Sequence, residues 1–301
     1  MIIPPFLNKG DTIAITATAR KISTNELEYA VKTIEGEGFK VKFAANLFAE
    51  HHQFAGIDEQ RCSDLQTCIN DINVKAILIA RGGYGTMRIV DDIDFTPLIE
   101  NPKWIIGYSD VTVLHNALHK LNLASLHATM PINFAKNKEA TTSLFNVLTG
   151  KKIKFEYDYN SSINKSLYKL GNAKAPVIGG NLSLIYAMQG SKTDIDTKGK
   201  ILFLEDLDEY LYHIDRMILS LKSAGKFDDL AGLIIGGMSD MKDNTIPFGQ
   251  TAEEIIAHHL KDKNYPICYD FPCGHIDRNL ALPLGLVATL EVTTHSVKLS
   301  Y

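Results

Sequence analysis

Trp104-Ile105-Ile106-Gly107-Tyr108-Ser109-Asp110, continuing into Val111-Thr112-Val113-Leu114-His115, is the stretch on which the fold of this chain turns. Trp-Ile-Ile-Gly-Tyr reads as a short buried strand, an apolar run closed by Gly107. From Asp110 onward apolar residues recur at Val111, Leu114, Leu118 and Leu121, a spacing that predicts a helix. Ser109 therefore falls on a sharp strand-to-helix turn. That geometry lifts a nucleophile out of the backbone and sets helix N–H groups beside it to receive an oxyanion. Serine before an apolar run is also a favoured N-cap, and on this stretch alone the cap is the commoner reading. The rest of the chain decides between them.

Working outward, Thr12–Ala17 reads as a strand ending in small residues, Asn25–Glu37 as an amphipathic helix stopped by Gly38, and Val41–Ala44 as a second strand. A helix over Ile57–Asn70 and a buried strand over Val74–Ala80 follow. This alternation predicts an α/β fold with a parallel, helix-covered sheet. Ligands of such sheets gather beyond the carboxyl ends of the strands. Both Ser109 and the loop Arg81-Gly82-Gly83-Tyr84-Gly85-Thr86 are delivered there. The loop's glycines suit an oxyanion hole, a phosphate cradle or simply a tight turn. Its spacing is neither G-x-G-x-x-G nor a Walker loop.

The pattern changes near Asn137. We read residues 1–140 as one domain, 141–170 as a linker with the first strand of the next, and 171–301 as a second domain. In the second half, strands over Ala175–Asn181, Lys200–Leu204, Leu230–Gly237 and Ile267–Phe271 alternate with helices. A pair of strands, Leu286–Val292 and Ser296–Tyr301, ends the chain.

Composition sets limits. A net charge of -4 over 301 residues gives no electrostatic case for nucleic acid or an anionic membrane as partner. The opening Met1-Ile2-Ile3-Pro4-Pro5 lacks the basic and apolar regions of a signal peptide, and no apolar run is long enough to span a bilayer. The four cysteines, Cys62, Cys68, Cys268 and Cys273, have no metal-type spacing and read as reduced thiols of a cytoplasmic protein.

A nucleophilic serine needs a base, and the base an orienting acid. Of the ten histidines, His51, His52, His258, His259 and His295 read as solvated. His115 and His119 share a helical face at the i, i+4 spacing of a zinc pair, but no third ligand accompanies them. His127 reads as structural, and His213 sits on a helix. His275 stands apart, presented by a loop after Pro272-Cys273-Gly274, and is the best general-base candidate. For the acid, Glu205 at the end of an apolar strand has the rigid support that positioning requires, and Glu209 in the acidic loop behind it is the rival.

Arg-Gly-Gly-Tyr-Gly-Thr, Ile-Gly-Tyr-Ser-Asp, Ile-Gly-Gly-Asn-Leu, Leu-Phe-Leu-Glu-Asp, Ile-Asp-Arg-Met and Cys-Gly-His stand in this order along the chain. Each is weak alone, but the ordered series resembles the serine LD-carboxypeptidases, a family that also contains microcin C self-immunity peptidases. The resemblance covers nearly the whole chain. It implies a flavodoxin-like N-terminal domain and a smaller C-terminal mixed α/β domain with a barrel-like sheet. By motif it makes Ser109 the nucleophile, Glu205 the orienting acid and His275 the base, with the N–H groups of Gly83 and Asp110 as the oxyanion hole. Gly82, Tyr84, Asn181 and Glu209 are the accompanying candidates for substrate contact. No metal or organic cofactor is implied. The expected substrate is a murein-derived tetrapeptide, cut before its terminal D-alanine during cell-wall recycling by a cytoplasmic homodimer. Two other functions fit parts of the pattern. One is an amide hydrolase of aminoacyl-nucleotide antibiotics, for which Tyr210 and Tyr212 could stack on a base. The other is a non-catalytic phosphate- or sugar-binding module built on the glycine loop. The order Ser, Glu, His also occurs in α/β-hydrolases, but Gly-Tyr-Ser-Asp lacks their glycine two residues after serine.

Overall fold

The computed structural model describes residues 1–301. In chain order the elements are β1 (Thr12–Thr16), α1 (Thr24–Gly36), β2 (Lys40–Phe43), α2 (Asp58–Asn70), β3 (Val74–Ile79), α3 (Pro97–Glu100), β4 (Trp104–Gly107), α4 (Thr112–Lys120), β5 (Ser125–His127), α5 (Lys138–Leu148), β6 (Lys154–Asp158), β7 (Gly171–Asn181), α6 (Leu182–Ala187), β8 (Ile201–Leu207), α7 (Leu211–Ser223), β9 (Gly232–Ser239), α8 (Ala252–His259), β10 (Ile267–Cys268), β11 (Leu282–Leu284), β12 (Val287–Val292) and β13 (Ser296–Ser300). They form two compact units. One holds Met1–Lys151, Gly190–Thr193 and Asp277–Gly285, and the other Lys152–Gln189, Asp194–Ile276 and Leu286–Tyr301.

The first unit is built on a six-stranded sheet in the order β11-β5-β4-β3-β1-β2. Five strands are parallel in the flavodoxin-like order 2-1-3-4-5. The inner strands are buried on both faces, as in β3 and β4, where Ile77 and Ile105 pair in register and neither touches solvent. Each such side chain contributes roughly 1.5–3 kcal/mol by leaving water. Some helices start where the chain supplies a side-chain cap. Ser23 and Glu26 form a reciprocal capping box at α1. The unit runs past residue 140, the domain end expected from sequence, because α5 packs into it through Phe145, whose ring meets those of Phe39 and Phe134. It also takes back β11, antiparallel to β5 with Leu282 opposite His127. Pro283 is tolerated there because β11 is an edge strand.

The second unit carries a seven-stranded mixed sheet in the order β10-β9-β8-β7-β12-β13-β6. The long strand β7 divides its partners. Gly171–Pro176 pairs antiparallel with β12, and Val177–Asn181 pairs parallel with β8. Pro176, with no N–H to give, stands where the partners change. No ladder joins β6 to β10, but an isolated antiparallel bridge ties Lys169, just before β7, to Ile267 of β10, each N–H donating to the other's carbonyl at 2.9 and 3.0 Å. Side chains also link β6 to the segment that follows β10. The Tyr157 hydroxyl donates to the Tyr269 carbonyl at 2.6 Å, and the Phe155 and Phe271 rings lie 5.0 Å apart. Of the strand expected over Ile267–Phe271, only Ile267 and Cys268 pair.

Candidate active site

In the first unit β4 ends at Gly107, and the chain turns through Tyr108 and Ser109 into a 3-10 turn and then α4. Ser109 has φ 64°, in the left-handed region. An N-cap residue has extended backbone, and here that position belongs to Tyr108, at φ -146°. Ser109 is therefore no cap but a strained residue at the tip of the turn, a conformation that costs on the order of 1–3 kcal/mol and clusters at functional sites. The turn is braced from below. His115 on α4 donates from Nε2–H to the Gly107 carbonyl at 3.0 Å. Burial, then the neighbouring His127, push His115 down to about 3, so the ring is uncharged at neutral pH.

The glycine loop lies against this turn. A methyl group on Gly82 would stand 3.0 Å from both Cβ and Oγ of Ser109. Gly83 has φ 123°, which L side chains rarely adopt, and a methyl there would meet the stem of Arg20 at 2.6 Å. Its backbone thus stays bare. The buried Asp110 carboxylate accepts from the Thr86 N–H at 2.8 Å and pins loop to turn. Burial pushes the Asp110 carboxyl above its ordinary value, against the Thr86 donors and the Arg61 charge that favour ionisation. Tyr84 is half exposed at the loop tip.

In the second unit Glu205 lies within β8, fully buried, two residues before the strand's end rather than beyond it. Its Oε2 accepts from the His275 backbone N–H at 3.0 Å and from His275 Nδ1–H at 2.6 Å. That tautomer leaves the lone pair on Nε2. Burial opposes protonation of His275, but the charge and hydrogen bond of Glu205, helped by Asp206, outweigh it and raise the imidazole above its ordinary value. Gly274 allows the approach, since a methyl on it would lie 2.8 Å from Oε2 of Glu205. A register shift between β8 and β9 falls beside Glu205, a bulge of the kind found next to active sites.

Two expected substrate contacts are engaged within the second unit. Asn181 caps α6 and donates from Nδ2 to Asp206 at 2.9 Å. Glu209 pairs with His213 at 2.5 Å, one helical turn along, and so is not the partner of His275. His259, expected to be solvated, bonds Asp215 at 2.6 Å. Sequence reasoning passed over Asp206, which also accepts from the N–H groups of Ser183 and Leu207 and which burial, then the Glu205 charge, push up to about 7. It also missed the bracing by His115 and Asp110. The only available signal for a buried Asp206 is that it continues the apolar run of β8, which is buried without a break from Ile201 to Asp206, and none exists for the other two. No group of three or more potential ligands capable of holding a metal ion is present, and His115 and His119 stand without a third ligand. No helix is long and apolar enough to cross a membrane.

Comparison with known proteins covers both units. Residues 13–128 match the LD-carboxypeptidase N-terminal domain and residues 174–290 the LD-carboxypeptidase C-terminal domain. A probable murein peptide carboxypeptidase of Bacillus subtilis is 34% identical over 96% of this chain and 91% of its own length. The crystal structure of a muramoyltetrapeptide carboxypeptidase from Oxalobacter formigenes superposes with a TM-score of 0.86 at 25% identity, covering 96% of this chain and 98% of that one. An MccF-like protein from Bacillus anthracis gives 0.84 at 26% identity over 99% of both chains. The chain belongs to the LD-carboxypeptidase family and is a peptidase.

Proposed function

We propose that the chain is a serine carboxypeptidase that removes the terminal D-alanine from a murein tetrapeptide, cutting the amide between an L-centre and D-alanine. The observation that carries this reading is Ser109 held at φ 64° on the strand-to-helix turn, a backbone strain of the kind that clusters at active sites. In the proposed cycle His275 Nε2 takes the Ser109 proton as Oγ attacks the carbonyl carbon. The N–H groups of Gly83 and Asp110 stabilise the oxyanion. The imidazolium, steadied by Glu205, then gives its proton to the departing amine, and D-alanine leaves. Water repeats the sequence on the acyl-enzyme and restores Ser109. A cytoplasmic location, a role in wall recycling and a homodimeric state belong to the same proposal on the strength of the family resemblance.

A second substrate class, an aminoacyl-nucleotide, is favoured by one feature: the exposed rings of Tyr210 and Tyr212 lie 5.5 Å apart and offer a stacking surface. The test is direct. Incubation with murein tetrapeptide is expected to release D-alanine, and a peptide ending in L-alanine to release far less. Release from neither, with cleavage of an aminoacyl sulfamoyl nucleoside analogue, would transfer the assignment to the second class.

A further inference from the structure

A carboxypeptidase must distinguish the last residue of a peptide from an internal one, and the only group unique to the last residue is its carboxylate. We propose that Arg20 binds that carboxylate. The inference rests on the serine carboxypeptidase reading above and deepens it. Arg20 follows β1, at the carboxyl edge of the parallel sheet, the same edge that delivers the glycine loop and Ser109. Its backbone is held by an antiparallel bridge to Phe54, and the flanking residues are tied to the same segment by Ala55 N–H to Ala19 O and Lys21 N–H to Gln53 O, each 3.0 Å. Its stem lies directly on Gly83, where a methyl would stand 2.6 Å from Cγ and 2.7 Å from Cδ. The preceding residue, Gly82, is backed by Ser109 in the same way, so two consecutive glycines separate nucleophile and guanidinium.

The charges around the loop single out this residue. Arg61 and Arg88 pair with Asp58, Arg81 with Glu26, Arg278 with Glu139, and Lys21 with Glu50. Arg20 is exposed and is the one arginine of the first unit without a carboxylate partner. One residue spans about 3.3–3.6 Å, so with the scissile carbonyl held at the Gly83 N–H, the terminal carboxylate falls within the reach of a side chain anchored on Gly83. A guanidinium offers such a carboxylate two parallel donors.

The experiment compares the murein tetrapeptide as free acid with its C-terminal amide, using wild type, Arg20→Gln and Arg20→Lys. Wild type is expected to prefer the acid. Arg20→Gln should lose about 10- to 100-fold in kcat/KM on the acid, the range of a hydrogen bond to a charged group, while the amide rate and the thermal midpoint stay put. Arg20→Lys should keep part of the preference. Equal cleavage of acid and amide by wild type, or an unchanged acid-to-amide ratio in Arg20→Gln, would overturn the inference and leave the serine mechanism standing. Wild type that releases nothing from either peptide would overturn the mechanism and the inference together.

Discussion

Glu205 and His275 are joined twice, the same carboxylate oxygen accepting the backbone N–H at 3.0 Å and the ring Nδ1–H at 2.6 Å. A two-point link to a fully buried strand carboxylate fixes both the position of the ring and its tautomer. The first prediction follows. Glu205→Gln lowers kcat by up to about ten-thousand-fold, the scale of an orienting acid's loss in a serine triad. It also removes the charge that raises His275. The base works only when neutral, so the acid limb of the pH–rate profile moves to lower pH in the variant. Glu209→Gln, whose parent pairs with His213, alters KM more than kcat. A larger fall in kcat for Glu209→Gln than for Glu205→Gln would reverse the assignment.

How much of this site was legible in sequence depends on the range of the interactions. Ser109 was readable because the strand-to-helix switch is local, written in the apolar spacing of residues 104–121. Its left-handed backbone was not, since Ser and a cap signal fit both conformations. Glu205 and Glu209 could not be separated by spacing alone, because the competing partner of Glu209 lies four residues away on a helix, whereas His275 lies seventy residues from Glu205. Asn181 illustrates a role that spacing does not show: its motif suggested a ligand contact, and its side chain also caps a helix and binds Asp206. The parallel sheet of the first unit was visible in its alternation, but β11 was not. Three residues centred on Pro283 carry no strand signal, and only pairing with β5 makes them one.

His115 gives a prediction about acid stability. Its folded value is depressed to about 3 from an ordinary 6.5. A depressed histidine contributes stability that is fully present above its unfolded value and is lost as pH falls toward the folded one. Stability should therefore decline through this group from about pH 6.5 toward pH 3. His115→Gln, which keeps an amide donor for Gly107 and cannot titrate, should show a shallower decline. Urea midpoints for both proteins at about pH 7 and about pH 4.5 measure it, and parallel declines would count against a neutral buried His115.

Gly83 and Gly10 form a matched pair for the glycine loop. Both have positive φ, 123° and 91°, but a methyl on Gly83 overlaps Arg20 while one on Gly10 meets nothing within 4 Å. Each change to Ala costs roughly 1–2 kcal/mol of backbone strain. Gly83→Ala should in addition lower kcat, by displacing the N–H assigned to the oxyanion, and Gly10→Ala should leave kcat at the wild-type value. Thermal midpoints taken beside turnover separate the two effects. Equal kcat in the pair would remove Gly83 from the oxyanion hole.

The central claim is that Ser109 is the nucleophile, and Ser109→Ala tests it most directly, with D-alanine release from murein tetrapeptide and thermal midpoint measured on the same preparation. The Ser109 side chain caps nothing, so the variant should stay folded, within the about 1 kcal/mol that even loss of a capping serine costs. The account predicts a folded protein that releases no D-alanine above the enzyme-free rate. A folded Ser109→Ala that still releases D-alanine at the wild-type rate would contradict it.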